Sequence, residues 1–101
     1  MAAIAIPVEP QLLAAFCRSN GIRKLSLFGS VLTDRFREDS DVDILVEFDR
    51  RRRIGYLKMA ALERQLAALI RRKVDLRTPD ELSPYFRDEV LRCAAVQYEQ
   101  R

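Results

Sequence analysis

The stretch Ile22–Phe48, IRKLSLFGSVLTDRFREDSDVDILVEF, decides the fold. It opens on Ile22 to Phe28, where Leu25 and Leu27 alternate with Ser26 and Phe28, and the pair Gly29-Ser30 then interrupts the run. Alternation predicts a short half-buried strand, and the Gly-Ser pair marks the corner where the chain changes direction. Asp41 to Phe48 give a second and stronger strand, with Val42, Ile44, Val46 and Phe48 on one face and Asp41, Asp43, Leu45 and Glu47 on the other. The first of these faces is core; the second begins with two carboxylates. Between the strands, Val31 to Ser40 reads as a helical turn around Val31, Leu32 and Phe36, then a loop through Glu38, Asp39 and Ser40.

Outward from this centre, helices and strands alternate. Upstream, Leu12, Leu13, Phe16 and Cys17 recur at helical spacing after Pro10, and Asn20-Gly21 supplies a stop, which predicts a helix over about Pro10 to Asn20. Downstream, Arg50 to Arg53 form a solvated turn, and Met59, Leu62, Leu66, Leu69 and Ile70 mark an amphipathic helix from about Gly55 to Arg71. Val74-Asp75-Leu76 reads as a third strand, and Thr78-Pro79-Asp80-Glu81 as a helix start of the capping-box type. Ser83-Pro84 opens another helix in the same way, running to about Cys93 with Phe86, Val90, Cys93 and Ala94 on one side, and Ala95 to Tyr98 adds a short terminal strand. The expected fold is α/β: a small mixed sheet with helices packed on it, in one domain over residues 1–101.

Composition narrows the chemistry. The 101 residues are 49% hydrophobic and 33% charged, enough for one core but not for a separate substrate-binding module. With no histidine, the chain has no Ser-His or Cys-His nucleophile, no His-ligated zinc and no imidazole shuttle, so carboxylates lead the catalytic candidates. Eighteen basic against fifteen acidic residues leave a net charge of +3, well short of a dedicated nucleic-acid binder. Cys17 and Cys93 lack metal-ligand spacing and read as buried free thiols suited to a reducing cytoplasm. Met1 to Ile6 lack the basic region of a signal peptide, and no apolar stretch reaches membrane-spanning length.

Gly29-Ser30, ten residues, then Asp41-Val42-Asp43 form a spaced set with a common chemical purpose. At a strand-to-helix corner, Gly29 lets the backbone approach a ligand, while Ser30 offers a hydroxyl and neighbouring N–H groups to phosphate oxygens. Asp41 and Asp43, two apart on a strand, project to the same side about 6 to 7 Å apart along the backbone, where they can converge on hard divalent ions such as Mg²⁺. A pair of such ions about 3.5 to 4 Å apart clamps the attacking and leaving oxygens of an in-line displacement at phosphorus. Asp75, an acid in an otherwise apolar and basic strand, is the candidate third carboxylate, binding metal or taking the nucleophile's proton. Gly-Ser is also an ordinary turn dipeptide and Asp-rich loops cap strands without catalytic purpose. The placement of the set between two strands favours the chemical reading.

Ser26-Leu27-Phe28-Gly29-Ser30 through Asp39-Ser40-Asp41-Val42-Asp43-Ile44-Leu45-Val46 resembles the signature of the DNA polymerase β-type nucleotidyltransferase superfamily. Within it the chain is similar to the minimal nucleotidyltransferases, or MNT proteins, through Arg72-Lys73-Val74-Asp75-Leu76 to Ser83-Pro84-Tyr85 and the final helix. The resemblance implies a nucleotidyltransferase core, metal-binding aspartates at Asp41 and Asp43, a third carboxylate at Asp75 and a phosphate-holding pair at Gly29 and Ser30. It further implies an antitoxin that neutralises a cognate HEPN-domain RNase toxin, some such antitoxins transferring AMP from ATP to a toxin tyrosine. Many relatives carry Arg-Gly shortly after the Gly-Ser pair, where this chain has Thr33-Asp34, so phosphate support from that loop differs here.

Arg35 and Arg37 lie between the phosphate corner and the aspartates, where a guanidinium could neutralise a triphosphate or leaving pyrophosphate; Arg37 is the one placed among the nucleotide-binding residues. Glu47 reads as a surface or ion-paired carboxylate, and Tyr56 and Tyr85 as partly buried. The expected ligands are two Mg²⁺ ions and ATP or another NTP, and the expected partner is the HEPN toxin, in a hetero-complex or with self-association. The main rival is an antitoxin that inhibits by binding alone. Nucleic-acid binding through Arg50 to Arg53 ranks below both.

Overall fold

The structure, a computed structural model, describes residues 8–29, 41–50 and 53–100. The expected turn over Val31 to Ser40, and with it Ser30, Arg35 and Arg37, lies outside the described residues, as do Met1 to Ile6 and Arg51 and Arg52.

Among the described residues, seven regular elements follow one another: α1 (Pro10–Ser19), β1 (Ile22–Phe28), β2 (Val42–Phe48), α2 (Tyr56–Ile70), β3 (Val74–Arg77), α3 (Arg87–Cys93) and β4 (Ala95–Glu99), with a 3₁₀ turn at Pro79–Glu81. The strands form one sheet in the order β3-β2-β1-β4. β1 runs antiparallel to both β2 and β4, whereas β2 and β3 are parallel and joined through α2, as a parallel pair requires a crossover. The expected mixed sheet with helices on it is the observed architecture.

Period-two alternation sorts the strands into two faces. On one, Leu25 and Leu27 of β1, Val42, Ile44 and Val46 of β2, and Val74 and Leu76 of β3 are buried together with Leu13 and Cys17 of α1 and Leu62, Leu66 and Ile70 of α2. Both long helices therefore lie over the same side of the sheet. Gly21 ends α1 with φ 68, a conformation glycine takes without steric cost, and its carbonyl accepts a hydrogen bond from Asp49 N–H at 2.9 Å, tying the start of β1 to the end of β2. At the other end of β2, Val42 N–H donates to Lys73 O at 2.8 Å and fixes the entry of β2 beside that of β3.

The C-terminal third departs from expectation in ways proline explains. Pro79–Glu81 make a single 3₁₀ turn with no capping hydrogen bond from the Thr78 side chain, and Leu82 is already extended, so no helix starts there. Pro84 disfavours helical geometry at Ser83 and lacks the N–H a continuing helix would use. The chain instead turns over Ser83–Phe86, with the Ser83 hydroxyl accepting from Tyr85 N–H at 3.3 Å, and α3 begins only at Arg87. Two exposures follow. Tyr85 sits in that turn and is 96% exposed, and Tyr56, first residue of α2 and ahead of its apolar stripe, is 92% exposed; neither is partly buried. Cys93 is likewise exposed, because α3 contributes no buried residue, while Cys17 is buried as expected and burial pushes its thiol up to about 12.

Candidate active site

The other face of the sheet carries the carboxylates. In the β1–β2 ladder Phe28 lies opposite Asp43, and in the β2–β3 ladder Asp43 lies beside Asp75, so Phe28, Asp43 and Asp75 stand in a row across three strand ends, with Gly29 next after Phe28 and neighbouring backbones about 4.8 Å apart. Asp41 immediately precedes β2 on the parity of Asp43 and is exposed. Sequence separations of more than thirty residues are closed here by strand register alone.

Gly29 has φ 76 and meets Asp43 so closely that a Cβ built on it would lie 3.1 Å from Asp43 Cγ and 3.3 Å from Asp43 Cβ, and would overlap the carboxylate Oδ2. The glycine is thus required twice, by its left-handed backbone and by the carboxylate packed against it. The absent side chain leaves the Asp43 carboxylate seated against bare backbone.

Asp75 faces the same open depression as Asp43, which is also lined by Phe28, Leu82 and Phe86. Its oxygens are engaged by Arg77, whose Nε donates to Oδ1 at 3.0 Å and whose Nη2 donates to Oδ2 at 3.5 Å. Arg77 also lies 3.9 Å from Glu81 Oε2. Its guanidinium pKa is raised, first by the hydrogen bond to Asp75, then by the charge of that carboxylate, with Glu81 and Glu63 adding to the effect. Arg77 supplies a compensating charge to Asp75. Among the described residues, no three carboxylates converge closely enough to hold a cation jointly. The structure brings Asp43 beside Gly29 and in register with Asp75, places Asp41 at the mouth of β2, and turns Asp75 toward Arg77.

The donor set nonetheless suits a hard divalent ion: carboxylate oxygens only, on rigid strand ends, one of them set in a cradle that a Cβ would fill. A larger depression of about 610 Å³ lies at the other end of β2, between Glu47, Asp49 and Pro79. Among the described residues its lining has no such pairing of glycine with carboxylates, and Glu47 there is ion-paired to Arg23 at 3.3 Å, as its strand position suggested.

Two residues of the site were not singled out in the sequence. Arg77 falls two positions after Asp75, hence on the same strand face, and that spacing was the available signal. Glu63 of α2 accepts a hydrogen bond from Leu76 N–H through Oε2 at 2.9 Å and so holds the edge strand that carries Asp75. An acid within the apolar repeat of α2, one position from Leu62, was its only mark.

The family model for the nucleotidyltransferase domain matches residues 9–96. The protein adenylyltransferase MntA of Thermococcus cleftensis is 40% identical over 72 residues, which cover 71% of each chain. Among solved structures, a chain of a toxin-antitoxin crystallised with AMP-PNP superposes with a TM-score of 0.72 at 20% identity, over 93% of this chain and 76% of that one. A chain from the complex of a tri-AMPylated Shewanella oneidensis HEPN toxin with its MNT antitoxin superposes with a TM-score of 0.64 at 19% identity, over 90% of this chain and 70% of that one. The chain belongs to the nucleotidyltransferase-domain family, as a minimal nucleotidyltransferase.

Proposed function

We propose that this protein is an antitoxin that transfers AMP from ATP to a tyrosine hydroxyl of a cognate HEPN-domain RNase toxin. The observation that carries the reading is the seating of Asp43 against Gly29 with Asp75 in register beside it, a side-chain-free corner next to carboxylates on adjacent strands. The name of the Thermococcus relative and the AMP-PNP and AMPylated-toxin complexes of the structural neighbours support it.

In this reading the tyrosine oxygen attacks the α-phosphorus of ATP, the bond to the β-phosphate oxygen breaks, the hydroxyl proton is released and pyrophosphate leaves. Gly29, Ser30 and Arg37 hold the phosphates. Asp41 and Asp43 hold Mg²⁺ with Asp75, and the two ions when bound supply charge neutralisation at the attacking and leaving oxygens. Asp75 also has the chemistry to accept the tyrosine proton, since a carboxylate in hydrogen-bond reach of the acceptor serves as general base. A domain this small encloses little of its acceptor, which suits a protein substrate that brings its own docking surface. The reaction belongs in the cytoplasm, where ATP, Mg²⁺ and the toxin's RNA targets are found.

The test incubates a candidate cognate HEPN-domain protein with the protein and Mg-ATP, and weighs the HEPN protein by mass spectrometry. Addition of whole AMP units, absent with Asp41→Asn and Asp43→Asn, is the expected result. A HEPN protein that is fully inhibited yet unmodified would identify inhibition by binding alone.

A further inference from the structure

Tyr85 stands at the lip of the depression that holds the carboxylates. Ser83 and Phe86, on either side of it in the turn after Leu82, line that depression together with Asp43 and Asp75. The backbone beneath it is fixed: Tyr85 N–H donates to Ser83 Oγ at 3.3 Å, Phe86 N–H and Arg87 N–H donate to Ser83 O at 3.2 and 2.9 Å, and the Arg87 guanidinium donates to Leu82 O at 2.9 Å. The ring itself is 96% exposed, so swinging it over the depression costs little packing. A tyrosine hydroxyl lies about 6.5 Å from its own Cα and adjacent Cα atoms are about 3.8 Å apart, so a depression walled by the next residue is within one side-chain length of the phenol. Of the three tyrosines, Tyr85 alone has this placement. Tyr98 packs against the core from β4, and Tyr56, although exposed, opens α2 and lines a separate depression that includes Asp75 but not Asp43.

We propose that Tyr85 is a self-modification site: in the absence of the partner, the chain transfers AMP from ATP to its own Tyr85 hydroxyl, within one molecule. This second acceptor rests on the reading of the site as an AMP transferase. Tyr85 Oη forms a bond to the α-phosphorus, the bond from that phosphorus to the α,β-bridging oxygen breaks, the phenolic proton passes to water and pyrophosphate leaves, so ATP is the only co-substrate. Holding the acceptor on the same chain replaces an encounter between molecules with a side-chain rotation, and that gain in effective concentration favours the phenol at the lip over more distant ones.

The experiment incubates the full chain alone with Mg²⁺ and ATP labelled at the α-phosphate, weighs the intact protein and maps the label by peptide mass spectrometry; a parallel incubation adds a candidate cognate HEPN-domain protein. The expected result is label on Tyr85 that is retained in Tyr56→Phe, lost in Tyr85→Phe and reduced about a hundredfold or more in Asp43→Asn. Tyr85→Phe removes only an exposed hydroxyl, so it melts as the native chain does and still modifies the HEPN protein. A mixture of Asp43→Asn, which keeps the acceptor, with Tyr85→Phe, which keeps the site, gives no more label than Asp43→Asn alone. Additional label on the Asp43→Asn chain in that mixture overturns transfer within one molecule, and label at a residue other than Tyr85 overturns the assignment. If the HEPN protein gains AMP while the chain stays unlabelled, the self-modification falls and the proposed function stands; if neither gains AMP, both fall.

Discussion

The two faces of β2 and β3 are interleaved in alternate residues yet obey opposite rules. Val42, Ile44, Val74 and Leu76 face the helices and are buried, whereas Asp43, Asp75 and Arg77, one position away on the same strands, line an open depression. One face gains free energy from removal of water; the other keeps like charges close together and depends on the first to hold them there. Leu45 and Ser26 are buried on the second face as well, so the separation holds for the residues just named, and substitutions among them should move one property and spare the other.

The sharpest break of this comparison is on the charged face. Asp43→Asn should lower AMP transfer by about a hundredfold or more, the scale of losing a group that stabilises transition-state charge. Transfer assays on protein whose melt shows it to be folded check this. Gly29→Ala breaks the boundary between the faces. The added Cβ meets the Asp43 carboxylate and a φ of 76, so both readouts fall, stability by about 1 to 3 kcal/mol. Leu66→Ala tests the core face: truncation of this fully buried side chain should cost about 2 to 5 kcal/mol in urea unfolding, with the transfer rate of the remaining folded protein within a fewfold of native.

The smallest expected effect concerns the thiols. Burial holds the Cys17 thiol protonated up to about 12 against an ordinary 9.0. Its contribution to stability is present in full below pH 9 and is lost as pH rises from there toward 12, because the unfolded chain ionises first. Urea midpoints should decline more steeply above pH 9 in the native chain than in Cys17→Ala. A thiol reagent at neutral pH should label Cys93 quickly and Cys17 only on unfolding.

The same contrast explains what could be read from the sequence. Strands β1, β2 and β3 were legible because apolar side chains recur in them at a local period, and Ile22–Phe28 is the observed β1 residue for residue. The candidate carboxylates were legible because spacing and strand parity place Asp41 and Asp43 on one side. Partnerships made in three dimensions were not. The grip of Arg77 on Asp75, with Glu81 behind it, depends on rotamers and on a 3₁₀ turn that resembles a helix start until Pro84 is considered. The bond from Leu76 N–H to Glu63 links α2 to β3 across thirteen residues of chain, and no periodicity encodes it. Tyr56, Tyr85 and Cys93 were misplaced for one reason: each belongs to a helix end, a turn or a short helix outside the apolar stripes that periodicity detects.

The most direct test of the central claim follows the phosphorus. ATP labelled at the α-phosphate and, separately, at the γ-phosphate is given to the protein with Mg²⁺ and the HEPN partner. The account predicts that α-label becomes covalently attached to a partner tyrosine, that γ-label leaves as pyrophosphate, and that Asp43→Asn abolishes the transfer. Transfer of γ-label, or α-label transfer undiminished in Asp43→Asn, would contradict it.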